Sequence, residues 1–216
     1  MLGRRKEEDM SDHPESEVFE RIGNYYDKLV NKYGRMPEAC DYGRAVSQLI
    51  KFRVLSDVLS MSGMSMLDVG CGFADYYDFL KQKYGDFTYR GVDLSRTMIQ
   101  QAKEIHPHLD LRHGNVLNEQ GEDKYDIVNA NGIFYLLGDM AMETMQLIID
   151  KMFRLSRNAC VFNSLSAWAP SKESGEFYAD PCQTMAYCRT LTPWVVLRHD
   201  YHPRDFTVYL YKAQQK

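Results

Sequence analysis

The sequence is short of what several protein classes require. It has no apolar run of the length a membrane span needs, and residues 1–17, MLGRRKEEDMSDHPESE, hold no apolar stretch of the kind a secretory signal carries. No membrane partner is expected, and residues 1–16 read as a polar, disordered tail. Positive charge is not in excess either: 26 Lys and Arg stand against 30 Asp and Glu, a net charge of -4. That balance argues against a nucleic-acid partner held by phosphate neutralisation. The five cysteines (Cys40, Cys71, Cys160, Cys182 and Cys188) are odd in number and nowhere spaced C-x-x-C. They suggest a reducing, cytoplasmic compartment, with neither a disulfide framework nor a zinc site. His199 and His202, in RHDYH, fall on a strand and hairpin turn instead of one helical face. They read as a solvated turn, so no metal is expected.

What is present suffices for one domain with a full core. Residues 17–32 place apolar side chains at helical spacing, and residues 45–60 form a second helix with Leu49, Phe52, Leu55 and Val58 turned inward. From residue 63 the pattern changes. Strands are expected at 66–69, 88–93, 109–114, 125–131 and 158–165, and helices at 74–84, 95–106 and 140–156. Ser95 suits a helix N-cap, and Met142, Met145, Leu147, Ile148, Met152 and Leu155 are core candidates. Alternating strand and helix point to a mostly parallel, open, doubly wound α/β sheet. Residues 194–201 and 206–212 are strands joined by a short connection, which permits only an antiparallel hairpin. We therefore expect residues 17–62 to form a helical lid on a Rossmann-like core, 63–216, the two making one domain.

The stretch LDVGCGFAD, residues 67–75, carries the chemistry. It opens like a dinucleotide loop with Gly70 and Gly72, yet Asp75 stands where G-x-G-x-x-G needs its third glycine. A pyrophosphate would sit at the helix start beside that carboxylate, a repulsion of roughly several kcal/mol in a partly desolvated site. Asp93 closes the second strand, about 20 residues beyond the glycine turn, where an acid takes ribose hydroxyls. The ligand so described has a ribose, no phosphate and a cationic part that tolerates Asp68 or Asp75. S-adenosylmethionine fits it.

MLDVGCGFAD, YRGVDLSRTMIQQAKE, LRHGNVL and YDIVNANGIFYLL, taken in order, resemble the motif set of class I S-adenosylmethionine-dependent methyltransferases, in particular the small-molecule branch with a type-11 or type-25 methyltransferase domain. The likeness covers about half the chain and implies a seven-stranded sheet whose last strand is antiparallel. It implies that Asp68, Gly70, Cys71 and Gly72 line the methionine and ribose side. It also implies that Asp93 takes the ribose hydroxyls, Leu94 packs on adenine, and Asn115 and Val116 sit at the adenine edge. Asn131 and Gly132 would face the methionine moiety and the acceptor. Asn115 stands where many relatives carry Asp, and reads equally well as a turn residue.

Aromatic side chains supply the acceptor candidates: Tyr25, Tyr26 and Tyr33 (with Tyr42) in the helical extension, Phe134 after the fourth strand, and Trp168 and Tyr178 in the long connection that follows residue 165. Some of these tyrosines equally suit a core face. Arg44 and Lys51 could meet an acidic acceptor or be surface residues. No catalytic base stands out. The function expected is methyl transfer from S-adenosylmethionine, leaving S-adenosylhomocysteine, to an oxygen or nitrogen of a small molecule, by a monomer or homodimer. A protein or RNA acceptor, a nicotinamide-dependent reductase and a non-catalytic partner subunit remain as alternatives.

Overall fold

The computed structural model describes residues 14–40, 45–122 and 124–215. The polar-tail reading of 1–16 falls mostly outside that range, and Tyr42 and Arg44 lie outside it too. Two helices, α1 (Pro14–Tyr33) and α2 (Ala45–Ser56), precede the alternating part. There follow β1 (Ser65–Val69), α3 (Asp75–Tyr84), β2 (Thr88–Asp93), α4 (Arg96–Ile105), β3 (Asp110–His113), β4 (Tyr125–Ala130), α5 (Ala141–Leu155), β5 (Ser156–Leu165) and α6 (Pro181–Leu191). The hairpin of β6 (Val195–Arg198) and β7 (Asp205–Tyr211) closes the chain.

The seven strands lie in the order β3-β2-β1-β4-β5-β7-β6. All neighbours pair in parallel except β7, which runs antiparallel to both β5 and β6. The chain winds outward from β1 through β2 to β3, then returns to place β4 on the other flank of β1. That reversal opens a crevice at the carboxyl ends of β1 and β4, where ligands bind in open α/β sheets.

The strands alternate between two apolar layers. Leu67, Val69, Val128, Ala130 and Phe162 face one side, against Met145, Ile148 and Met152 of α5. Met66, Ile127, Ala159 and Val161 face the other, against Leu55 of α2, Leu80 of α3 and Ala102 of α4. Because both faces are covered, the central strands read as continuous apolar runs. Ser95 caps α4, its Oγ accepting from Met98 N at 3.0 Å. Two core assignments from spacing fail: Leu49 is 44% exposed and Leu147 is 47% exposed. Each occupies the solvent side of its helix, while Phe52 and Ile148 take the inward positions.

Candidate active site

The loop after β1 turns sharply. Gly70, Gly72 and Ala74 have φ of 73°, 54° and 66°. Backbone N–H groups of Gly70 and Cys71 both donate to Val92 O, at 2.8 and 3.2 Å, which pins the turn to β2. The left-handed residue before α3 is therefore Ala74, the smallest side chain that can stand there in place of glycine. Asp75 begins α3 one residue later. Its carboxylate meets Arg35, from the segment after α1, at 3.0 Å. An acid in the first turn also suits the helix dipole.

This loop forms one wall of a cavity of about 280 Å³ at the carboxyl edge of the sheet. Asp68, Gly70, Cys71, Gly72, Asp93, Leu94, Asn115, Val116, Asn131 and Gly132 all line it. Phe19, Ile22 and Tyr26 of α1, and Ser47, Gln48, Lys51 and Phe52 of α2, complete the enclosure.

Two carboxylates dominate the nucleotide-loop side. Asp93 accepts from Gly72 N at 2.9 Å and Ser95 N at 2.8 Å, so it ties the loop to the start of α4. A carboxylate has about four acceptor positions, which leaves two for a ligand. Burial pushes its pKa up, against the lowering effect of those two bonds. Asp68 is 2% exposed and accepts from Tyr89 Oη and Asn129 Nδ2, both at 2.6 Å. Burial outweighs both bonds and raises its pKa to about 6. Tyr89 and Asn129, invisible to motif reading, orient this acid. The Cys71 thiol sits against Gly91, where an added Cβ would lie 2.6 Å from Sγ, so Cys71 is buried beside the strands.

Asn115 Oδ1 accepts from Leu117 N at 3.0 Å and caps a 3₁₀ turn at Val116–Asn118, the turn role weighed from sequence, while the residue still borders the cavity. Asn131 is held by Asn163, whose Nδ2 donates to Asn131 Oδ1 at 2.7 Å and whose Oδ1 accepts from Gly132 N at 2.6 Å. An amide inside the apolar run of β5 was the available signal for Asn163.

The aromatic candidates divide. Tyr26 and Phe134 line the cavity. Tyr26 Oη lies 2.7 Å from Tyr135 Oη, and Phe134 packs edge-on to Phe162 at 5.6 Å. Tyr25, Tyr33, Trp168 and Tyr178 are not among the lining residues. Tyr25 packs on Tyr26, and Tyr33 is 38% exposed. Trp168 is 54% exposed and packs on His199 at 5.2 Å. Tyr178 stands behind the wall: its Oη accepts from Arg204 Nη2 at 2.8 Å and donates to Glu176, and both of those residues reach the cavity.

The hairpin turn differs from the solvated reading. His199 Nε2 lies 2.8 Å from Ser166 Oγ. His202 and Asp205 line the cavity with Lys51. Asp205 joins the other two, 2.6 Å from His202 Nδ1 and 3.0 Å from Lys51 Nζ. Tyr76 also lines this space, and its buried hydroxyl has no hydrogen-bond partner among the described residues.

Comparison with known proteins gives this site its family. A family model described as methyltransferase domain matches residues 60–209. The Mycobacterium tuberculosis protein Rv1506c, which carries a methyltransferase name, is 28% identical over 159 residues, covering 69% of this chain and 93% of that protein. Among solved structures, magnesium protoporphyrin IX methyltransferase (ChlM) from Synechocystis PCC 6803, with bound SAH, superposes with a TM-score of 0.65 at 11% identity, covering 89% of this chain and 99% of that one. A DhpI–SAH complex gives 0.65 at 13% identity, covering 89% and 95%. The fold is that of the S-adenosylmethionine-dependent methyltransferases, and the chain belongs to the methyltransferase-domain family.

Proposed function

We propose that this methyltransferase takes its methyl group from S-adenosylmethionine and passes it to an oxygen or nitrogen of a small metabolite. The observation that carries the reading is the meeting of ten motif residues on one cavity, with Asp68 and Asp93 on its nucleotide-loop wall. We assign Asp93 to the ribose hydroxyls, Leu94 to an adenine face, and Asn115 and Val116 to the adenine edge. Asp68 faces the cationic methionine end, and Asn131 and Gly132 border the acceptor. The residues fit such a ligand. A Cβ on Gly70 would lie 2.3 Å from Ile133 Cγ2, so the backbone stays bare where a ligand must come close. Once bound, the sulfonium supplies an activated methyl group, and the protein's task is to align the acceptor and exclude water. A cavity of about 280 Å³ is close to the lower end of small-molecule and cofactor sites. Two structural relatives, the magnesium protoporphyrin IX methyltransferase and DhpI, were solved with SAH.

Isothermal titration with S-adenosylhomocysteine tests the reading, with NADH as control. Micromolar binding of the first and no response to the second is the expected pair. Asp93→Ala should weaken binding by about 1–3 kcal/mol, roughly 5- to 150-fold, the cost of charge-assisted hydrogen bonds. An unchanged dissociation constant would remove Asp93 from the site.

Asp68 supplies a pH signature. Its carboxyl, raised to about 6, is ionised above that pH and neutral below it. The ligand's ammonium favours the ionised form, so affinity should be full above pH 7 and fall as pH drops through 6, with proton release on binding in that window. In Asp68→Asn this step should vanish. An identical pH dependence in the variant would place its cause elsewhere.

A further inference from the structure

We propose that His202 is the general base of this enzyme and that the acceptor it serves is a hydroxyl, an alcohol or phenol oxygen bound beside the Lys51–Asp205–His202 chain. The assignment rests on the methyl-transfer reading above and chooses between its oxygen and nitrogen branches. It uses three residues that no motif contains.

The topology brings them to the acceptor end. Asp205 opens β7 and pairs across from Leu165, the last residue of β5, so the turn before it overhangs the carboxyl edge of the sheet. Lys51 reaches the same point from α2. All three line the cavity, as do Ser164 and Leu165. Asp205 is 2% exposed and Lys51 8% exposed, so their contact is shielded from solvent.

The proton on His202 is assigned from its partners. A carboxylate oxygen 2.6 Å from Nδ1 requires a hydrogen between them, so Nδ1 donates to Asp205. Arg204 N–H also points at this nitrogen, at 3.3 Å, so two partners compete for Nδ1, and the carboxylate at 2.6 Å is the nearer. Nε2 keeps its lone pair and has no hydrogen bond among the described residues.

Asp205 alone would draw a second proton onto the ring. Burial opposes it, and the nearby Lys51 and Arg204 cations oppose it too, so the His202 pKa lies below its ordinary value. Glu176, from the connection after β5, faces the same region but is engaged by Arg204 at 3.3 Å. Lys51 thus lets the carboxylate orient the imidazole while the ring stays neutral near pH 7. Asp205 and Lys51 are positioning residues, and only His202 meets the substrate.

This chemistry suits a hydroxyl. A neutral amine attacks through its own lone pair, whereas a hydroxyl oxygen becomes an adequate nucleophile as its proton leaves. The acceptor's proton passes to Nε2, an O–C bond forms to the methyl carbon, and the sulfur keeps the electron pair of the broken S–C bond. The products are a methyl ether, a neutral thioether and an imidazolium that returns its proton to solvent.

Two measurements test it on the full chain. Nitrogen-15 NMR of labelled histidines, with S-adenosylhomocysteine bound and His202 assigned through bonded connectivity, should show the Nδ1–H tautomer at pH 7.5. This needs no variant to fold. An Nε2–H tautomer, or a cation at that pH, overturns the proposal. Then methyl-tritiated S-adenosylmethionine is offered with catechol, 4-hydroxybenzoate and benzyl alcohol, and in parallel with benzylamine. Hydroxyl methylation should appear, with a rate that rises with pH and levels once His202 is neutral. His202→Gln should lower kcat about 100-fold or more while S-adenosylhomocysteine binds within twofold of wild type. Asp205→Asn should displace the pH profile. Methylation of the amine alone, no methylated hydroxyl, or full activity in His202→Gln overturns the base and leaves the methyl-transfer reading standing. Absent binding of S-adenosylhomocysteine to the wild-type chain overturns that earlier reading instead.

Discussion

Replacing Lys51 with methionine should lower the unfolding free energy by about 3–5 kcal/mol, the usual cost of breaking a buried ion pair from one side. Lys51 and Asp205 are 8% and 2% exposed and meet at 3.0 Å. The variant keeps the carboxylate in β7 and removes its ammonium. His202, 2.6 Å away on the other side, is then the nearest compensating group, and it compensates fully only when cationic. The sign follows. At pH 5.5 a protonated His202 offsets the Asp205 charge and the loss is smaller, while at pH 8 the ring is neutral and the loss is largest. Urea unfolding at both values reads the difference. The double variant Lys51→Met, Asp205→Leu should recover most of the stability, because apolar replacement of both partners is close to neutral. A single-variant loss below about 1 kcal/mol, equal at both pH values, would mean that water screens the pair as it does at a surface.

Gly70→Ala should abolish measurable binding of S-adenosylhomocysteine, a loss of 100-fold or more, and lower stability by about 1–3 kcal/mol. Two effects combine. Gly70 has φ of 73°, where a Cβ is strained, and the added carbon would stand 2.3 Å from Ile133 Cγ2. The turn cannot relax away, because Gly70 N is held by Val92 O at 2.8 Å. Ile133 must move instead, and it lines the cavity. Gly72→Ala is the control: φ is 54°, but the nearest atoms to a new Cβ, Cys40 Sγ and Met98 Sδ, are 3.7 and 3.8 Å away. It carries the backbone strain without the collision and should bind more tightly than Gly70→Ala. Equal losses in the two variants would assign the whole effect to backbone strain.

These variants also mark where the sequence was readable. Gly70 and Gly72 lie on a strand-end loop and Asp93 ends a strand, where a local pattern and a spacing of about 20 residues carry the geometry. The hairpin was legible because only an antiparallel pair closes over so short a turn. Strand order was not, since no local pattern says that β7 inserts between β5 and β6. The Lys51–Asp205–His202 chain was hidden for that reason. Its members come from α2 and the β6–β7 turn, and the Leu165–Asp205 pairing that carries the turn to the cavity is a long-range contact. Among the tyrosines the helical phase decided: Tyr26 faces the cavity, and its neighbour Tyr25 packs on it. The Asn129 and Asn163 amides, set in apolar strands, match no motif, and their partners across the sheet are long-range.

Helix α1 is fastened to both banks of the crevice. On one side Asp27 accepts from Ser95 Oγ at 2.6 Å and Thr97 N at 3.0 Å, and Gly23 lies so close to Leu94 O that a Cβ would come within 2.5 Å. On the other, Tyr26 meets Tyr135 at 2.7 Å and Arg21 donates to Leu136 O at 3.1 Å. A spent nucleoside beneath such a helix leaves only when fastenings on one bank let go. The polar fastenings are ordinary hydrogen bonds, individually weak enough to break and re-form. Opening of this helix is a motion of the kind that paces product departure in many enzymes.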